Sequence, residues 1–139
     1  RIDPETHALT ELTTTARYPN GIGFSPDESI LYVADYMGGL IRQYDVAEDG
    51  SVSNERTYCD VPNPDGFTVD EHGNVWTSER NGVTVFSPDG KKLESFVVDA
   101  KPTNCSFGGE DGMTLFITAR SSVFKVKTTV RGASFANQD

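Results

Sequence analysis

The stretch Tyr18-Pro19-Asn20-Gly21-Ile22-Gly23-Phe24-Ser25-Pro26-Asp27 has two echoes further along the chain. Pro64-Asp65-Gly66-Phe67-Thr68-Val69-Asp70-Glu71-His72 and Pro102-Thr103-Asn104-Cys105-Ser106-Phe107-Gly108-Gly109-Glu110 open on a proline in the same way, at intervals of about 40 residues. After each opening come a polar turn, an apolar strand (31–34, 75–78 and 115–119), a Gly or Ser break and a third strand (40–44, 82–86 and 123–126). A further strand, 55–59 and 93–98, closes the first two units. Each unit therefore reads as a four-stranded meander of the length of one β-propeller blade.

Turn pairs at Asp49-Gly50, Asp89-Gly90 and Asp111-Gly112 and the lack of any long 3.6-residue periodicity agree with an all-β chain. The expected fold is a β-propeller fragment of about three four-stranded blades plus part of a fourth. Its blades fall at 18–60, 62–99 and 101–130, followed by a tail at 131–139. Residues 1–13 read as outer strands of a preceding blade, with Arg1–Asp3 and Ala8–Thr13 joined through the Pro4-Glu5-Thr6 turn. On this reading the chain starts in mid-blade without an initiator Met. A ring broken there leaves apolar blade faces for upstream blades, or a second copy, to cover. Trp76, Phe24, Phe67, Phe86, Phe107 and Phe116 occupy corresponding strand positions and are expected to pack between blades.

The bulk composition narrows the function classes. The 139 residues make one domain, and 12 basic against 21 acidic residues give a net charge of −9, which repels phosphate backbones and anionic membrane surfaces. Neither nucleic acid nor a membrane is an expected partner, and no apolar run approaches the ~20 residues of a membrane span. A soluble protein is expected. Cys59 and Cys105 show neither disulfide-framework nor zinc spacing, so the compartment stays open, with the cytoplasm favoured over secretion.

In a propeller, the innermost strand of each blade lines a shared channel, so residues at the start of that strand point at one volume. Asn20 and Asp65 share that register, and an amide oxygen beside a carboxylate suits a hard divalent cation. Yet Pro-Asn-Gly and Pro-Asp-Gly are ordinary turn tripeptides, and a further copy, Pro88-Asp89-Gly90, sits in a hairpin. On spacing alone the turn reading stands ahead of the ligand reading.

The run 18–27, with Leu31-Tyr32-Val33-Ala34-Asp35, Pro64-Asp65-Gly66-Phe67-Thr68-Val69-Asp70, Gly73-Asn74-Val75-Trp76, 102–109 and Leu115-Phe116-Ile117-Thr118, resembles the gluconolactonase and regucalcin (senescence marker protein) family. The resemblance extends from about Arg1 to Val126. It implies the C-terminal half of a six-bladed propeller that hydrolyses a sugar-type lactone with one divalent metal ion in the channel. Ca²⁺ is the first expectation, with Mg²⁺, Mn²⁺ or Zn²⁺ as alternatives.

By resemblance, Asn20 and Asp65 are two protein ligands of that metal, and a Glu from the first blade is the third. The Glu, and the Arg and Asn that contact substrate in the family, have no matching position here. Asp65 is also the candidate catalytic base, because a carboxylate within reach of the attacking water can take its proton. Thr103, Asn104 and Cys105 share the register in the third unit and, with Tyr36, are candidate channel-lining residues. Cys105 has no histidine partner and reads as buried and inert. His7 and His72 lie in turns, Asp35 reads as a hairpin residue, and 48–50 and 70–74 read as turn clusters with surface charge. As an isolated chain the fragment is expected to be inactive. The competing readings are a non-catalytic binding or scaffold propeller, and a related propeller hydrolase, strictosidine-synthase-like for example, acting on another substrate.

Overall fold

Each proline that opens a repeat stands at, or just before, the first strand of a sheet, where a missing N–H removes no interior ladder bond. The computed structural model describes residues 1–136. The first sheet comprises β1 (Pro19–Phe24), β2 (Ile30–Asp35), β3 (Leu40–Val46) and β4 (Val52–Asp60), paired antiparallel in that order. The second repeats it with β5 (Phe67–Val69), β6 (Val75–Glu79), β7 (Gly82–Phe86) and β8 (Lys92–Val97). The third holds three strands among the described residues, β9 (Pro102–Gly108), β10 (Thr114–Ala119) and β11 (Ser122–Lys127). The chain is all-β, with one 3-10 turn among the described residues, at Ala133–Phe135. No described helix is long and apolar enough to cross a membrane.

Alternation along the strands builds the cores between sheets. Tyr32, Ala34, Ile41, Tyr58 and Cys59 from the first sheet meet Phe67, Val69, Val75 and Phe86 from the second. Full burial of an apolar side chain of this size is worth about 1.5–3 kcal/mol. Tyr32 and Tyr58 meet with rings tilted by 57° and centroids 4.8 Å apart, and the Tyr58 hydroxyl donates across the interface to the carbonyl of Ser87 at 2.6 Å. Between the second and third sheets, Val83, Cys105, Phe107, Leu115 and Ile117 pack with Trp76 and Phe96, and Trp76 meets Phe107 edge-on at 5.4 Å.

Several expectations are corrected. Residues 1–13 form no strands: a single antiparallel bridge, Ile2 to Leu9, ties this segment together. The turn lies at Pro4-Glu5-Thr6 as expected, held by the Asp3 side-chain oxygen accepting from the Glu5 and Thr6 amides, but the backbone bonds between Asp3 and Ala8 and between Arg1 and Thr10 extend the pairing no further than this one bridge. Phe24 and Phe116 do not pack between blades and are 46% and 40% exposed. Phe24 pairs with Leu31, and Phe116 with Ser106 and Lys125, on the faces turned away from the second sheet. No described sheet covers either face. Asp70, expected in a surface-charged turn, is fully buried: its carboxylate accepts from the His72 and Asn74 amides, the Asn74 side chain and the Trp76 indole. The tail is anchored as far as it is described. Gly132 bridges Asp70, the Glu71 amide donates to the Arg131 carbonyl, and the last three tail residues lie outside the described residues.

Candidate functional site

The start of each inner strand is fixed by bonds to its neighbours. The Asp65 amide donates to the Ser78 carbonyl at 2.9 Å, and the Ser78 amide and hydroxyl both donate to the Gly66 carbonyl. Between blades, the Gly21 amide donates to the Asp65 carbonyl at 3.2 Å and the Gly66 amide to the Thr103 carbonyl at 2.8 Å. This repeated bond makes Asn20, Asp65 and Thr103 structural equivalents. Both glycines are required by the close approach: a Cβ on Gly21 would stand 2.6 Å from the Asp65 carbonyl oxygen, and one on Gly66 would collide with the Asn104 side chain.

A buried carboxylate positions the entry to β1. Asp35 is fully buried and accepts from the amides of Arg17, Tyr18 and Gly38 and from the Arg42 guanidinium at 2.9 Å. Burial alone would raise its pKa; the hydrogen bonds from Arg17, Arg42, Tyr18 and Gly38 outweigh that and hold it at about 2. Arg42 also pairs with Glu55 at 2.5 Å. The charged Asp35 thereby sets the backbone just ahead of Asn20.

Asn20 and Asp65 line one open concavity of about 310 Å³ with Tyr18, Tyr36, Met37 and Lys101. Among the described residues, no protein group hydrogen-bonds the half-buried Asp65 carboxylate. Lys101 Nζ donates to the Tyr36 hydroxyl at 3.2 Å, and the Asn63 side chain donates to the Tyr36 carbonyl. A neighbouring concavity of about 360 Å³ runs along the inner strands past Asn20, Gly66, Thr103 and Asn104.

Thr103 and Asn104 thus sit one step along the wall from Asp65. The Thr103 hydroxyl lies 3.1 Å from that of Thr118, and the Asn104 side-chain oxygen accepts from the Cys105 amide. Cys105 contributes backbone to that wall, while its side chain turns into the core and its thiol donates to the Trp76 carbonyl. Burial pushes this thiol up to about 12, so it is no nucleophile at neutral pH. His7 and His72 are exposed on turns. Tyr18, Met37 and Lys101 are lining residues that the sequence reading did not single out. A signal was present: Tyr18, Asn63 and Lys101 each immediately precede a repeat-opening proline.

The protein donors at Asn20 and Asp65 are hard oxygens. No group of three or more His, Cys, Asp and Glu is gathered to hold a metal among the described residues. A family profile described as SMP-30/Gluconolactonase/LRE-like region matches residues 1–121. The chain belongs to this family. Within the SMP-30/gluconolactonase/LRE-like family, the gluconolactonase of Zymomonas mobilis is 35% identical over 130 residues, an alignment covering 82% of this chain and 36% of that protein. The solved gluconolactonase of Xanthomonas campestris is 33% identical with a TM-score of 0.82, covering 91% of this chain and 42% of that one. A calcium-binding regucalcin of Agrobacterium tumefaciens shares the fold at 23% identity and a TM-score of 0.82, covering 91% of this chain and 51% of that one. This SMP-30/gluconolactonase/LRE-like chain therefore spans between about a third and a half of these relatives' lengths.

Proposed function

We propose that this chain carries part of the site of a divalent-metal-dependent lactonase that hydrolyses a sugar-type lactone to its hydroxy acid. The observation that carries the reading is the meeting of Asn20 and Asp65 in one concavity, joined through the Gly21-to-Asp65 backbone bond. Membership of a family that includes gluconolactonases supports the substrate class.

The Asn20 amide oxygen and Asp65 carboxylate would hold the cation. These oxygens suit Ca²⁺ first, or Mg²⁺ or Mn²⁺, and offer zinc none of the nitrogen or sulfur it favours. When bound, such an ion polarises a carbonyl and lowers the pKa of a coordinated water. The Asp65 carboxylate accepts a proton from the attacking water as its oxygen bonds to the carbonyl carbon. The ring C–O bond then breaks, and the proton taken up by Asp65 passes to the departing ring oxygen, which becomes the hydroxyl of the product and restores the carboxylate. Tyr18 and Tyr36 wall the site, with rings 6.0 Å apart.

Because this chain offers two of the three ligands implied by the resemblance, a polypeptide of these 139 residues alone is expected to be inactive. The decisive experiment is Asp65→Asn in the complete protein, followed by lactone hydrolysis and Ca²⁺ titration. The expected result is a fall in kcat of about 10²–10⁴-fold, with weakened metal binding. Unchanged hydrolysis and unchanged metal affinity would sink the reading and leave a non-catalytic binding or scaffold propeller, or a hydrolase using other groups.

A further inference from the structure

Beside the concavity of Asn20 and Asp65 lies a second one of about 830 Å³, between the second and third blades. Arg80 and Asn81 enter it from the β6–β7 turn, Asp99 and Lys101 from the link between β8 and β9, and Arg120 from the β10–β11 turn. The strand registers place all of these at the same end of the sheets. Phe67, just after Asp65, pairs with Thr77 near the close of β6; Gly82 pairs with Val97 at the close of β8; Pro102 pairs with Ala119 next to Arg120. Lys101 lines both concavities.

The charge at this place runs against the rest of the molecule. The chain carries a net charge of −9 and only 12 basic residues, yet three of them line this one cleft. Elsewhere Arg42, Arg56, Lys91 and Lys127 are paired with carboxylates, while Arg1, Arg17, Lys92 and Lys125 have no ion pair among the described residues but are not gathered in this cleft. Among the described residues, none of Arg80, Lys101 and Arg120 has a carboxylate within ion-pair distance, and Asp99 is the single acidic residue of the lining. Grouped like charges repel one another, and an arriving anion removes that penalty while gaining guanidinium hydrogen bonds.

We infer that Arg80, Lys101 and Arg120 form a subsite for an anionic substituent on the substrate, so that the preferred lactone carries a phosphate, sulfonate or carboxylate away from the carbonyl that is attacked. The inference rests on the lactonase reading and deepens it. Lys101, shared by both concavities, is the bridge: a sugar-sized ligand with its carbonyl beside Asp65 extends its charged end past Lys101 towards the two arginines. Arginine forks grip planar or tetrahedral oxyanions in pairs, which gives the cleft selectivity over neutral hydroxyls.

The test uses the complete protein with two lactones of the same ring, glucono-δ-lactone and its 6-phosphate. The phosphorylated lactone should show a kcat/KM higher by about tenfold or more, a preference that shrinks as salt is raised. Arg80→Ser with Arg120→Ser should remove the preference through KM, leave kcat on both lactones unchanged and leave glucono-δ-lactone turnover as it was. Lys101→Met should weaken both substrates, and Lys101→Arg should restore the preference. Equal kcat/KM on the two lactones, or a preference that survives the double arginine variant, overturns the inference. Calorimetric titration with sorbitol 6-phosphate, sorbitol and inorganic phosphate reads the subsite without any hydrolysis. Sorbitol 6-phosphate binding about tenfold or more tighter than either of the others upholds the subsite even if neither lactone is cleaved, in which case the lactonase reading alone has failed. Binding no tighter than inorganic phosphate overturns the subsite even if both lactones are cleaved.

Discussion

The Gly21 amide donates to the Asp65 carbonyl at 3.2 Å, so the two blades that supply Asn20 and Asp65 are bonded to each other one residue away from the first of them. Gly21→Ala places a methyl 2.6 Å from that carbonyl oxygen and from Cδ1 of Phe67. Overpacking of this kind costs about 1–3 kcal/mol. The expected outcome in the complete protein is a lowered Tm together with weakened Ca²⁺ binding, read by thermal melts with and without Ca²⁺. A Gly21→Ala protein with both unchanged would show that this bond does not set the site.

Asp35 gives a pH signature. Its folded pKa of about 2 lies below the ordinary unfolded value of about 3.9, so its stabilisation is fully present above about pH 4 and is lost as pH falls towards 2. Asp35→Asn leaves Glu55 as the charged partner of Arg42 and gives the Arg17, Tyr18 and Gly38 amides a neutral acceptor in place of a buried carboxylate, at an expected cost of about 2–4 kcal/mol near neutral pH. The gap between variant and wild type should close below pH 4 in urea titrations at stepped pH. A constant gap from pH 7 to pH 2.5 would contradict the assignment.

Both thiols should be silent in the folded protein. Burial raises Cys59 and Cys105 to about 12, and neither has a disulfide partner. An aromatic disulfide reagent at pH 8 should titrate no thiol of this segment in the native state and both after denaturation. Rapid native reaction at Cys105 would mean that its side chain reaches the channel.

Tyr58→Phe deletes a hydroxyl that donates from the first blade to the Ser87 and Phe86 carbonyls of the second. The expected loss is about 1–2 kcal/mol by denaturant unfolding, since the buried Phe86 carbonyl and the part-buried Ser87 carbonyl lose the donor they share while the ring contact with Tyr32 stays.

An isolated chain of these residues should self-associate. Ile22 and Phe24 on one outer face and Phe116 and Val123 at the other end of the array are exposed apolar groups that nothing among the described residues covers. Sedimentation velocity across a concentration series should show dimers or larger species; a monomer at all concentrations would show that these faces tolerate water.

Much of this was legible in the residues. Strands such as Ile30–Asp35 and Val75–Glu79 were marked by short apolar stretches between Gly, Pro and Asp turns, and the repeat of Pro19, Pro64 and Pro102 located the inner strands. Patterning assigns a side chain to a face and says nothing of whether another sheet covers that face, which is why Phe24 and Phe116 were misplaced. Turn statistics likewise could not separate Asp70, buried beneath its own loop, from solvated carboxylates such as Asp49. Lys101 shares with Tyr18 the position just before a repeat-opening proline, but that register does not say which of these side chains the angle between blades carries beside Asp65. Arg80 and Arg120 are, in sequence, indistinguishable from ordinary surface charges on hairpin turns.

The amide-to-carbonyl bond that joins Gly21 to Asp65 recurs from Gly66 to Thr103, and it runs from backbone to backbone. Successive blades are thereby stitched at the axis by atoms that every residue except proline possesses. Side chains at Asn20, Asp65 and Thr103 are left free to vary, so new chemistry could arise on this scaffold by exchanging one of the three without redesigning the seam.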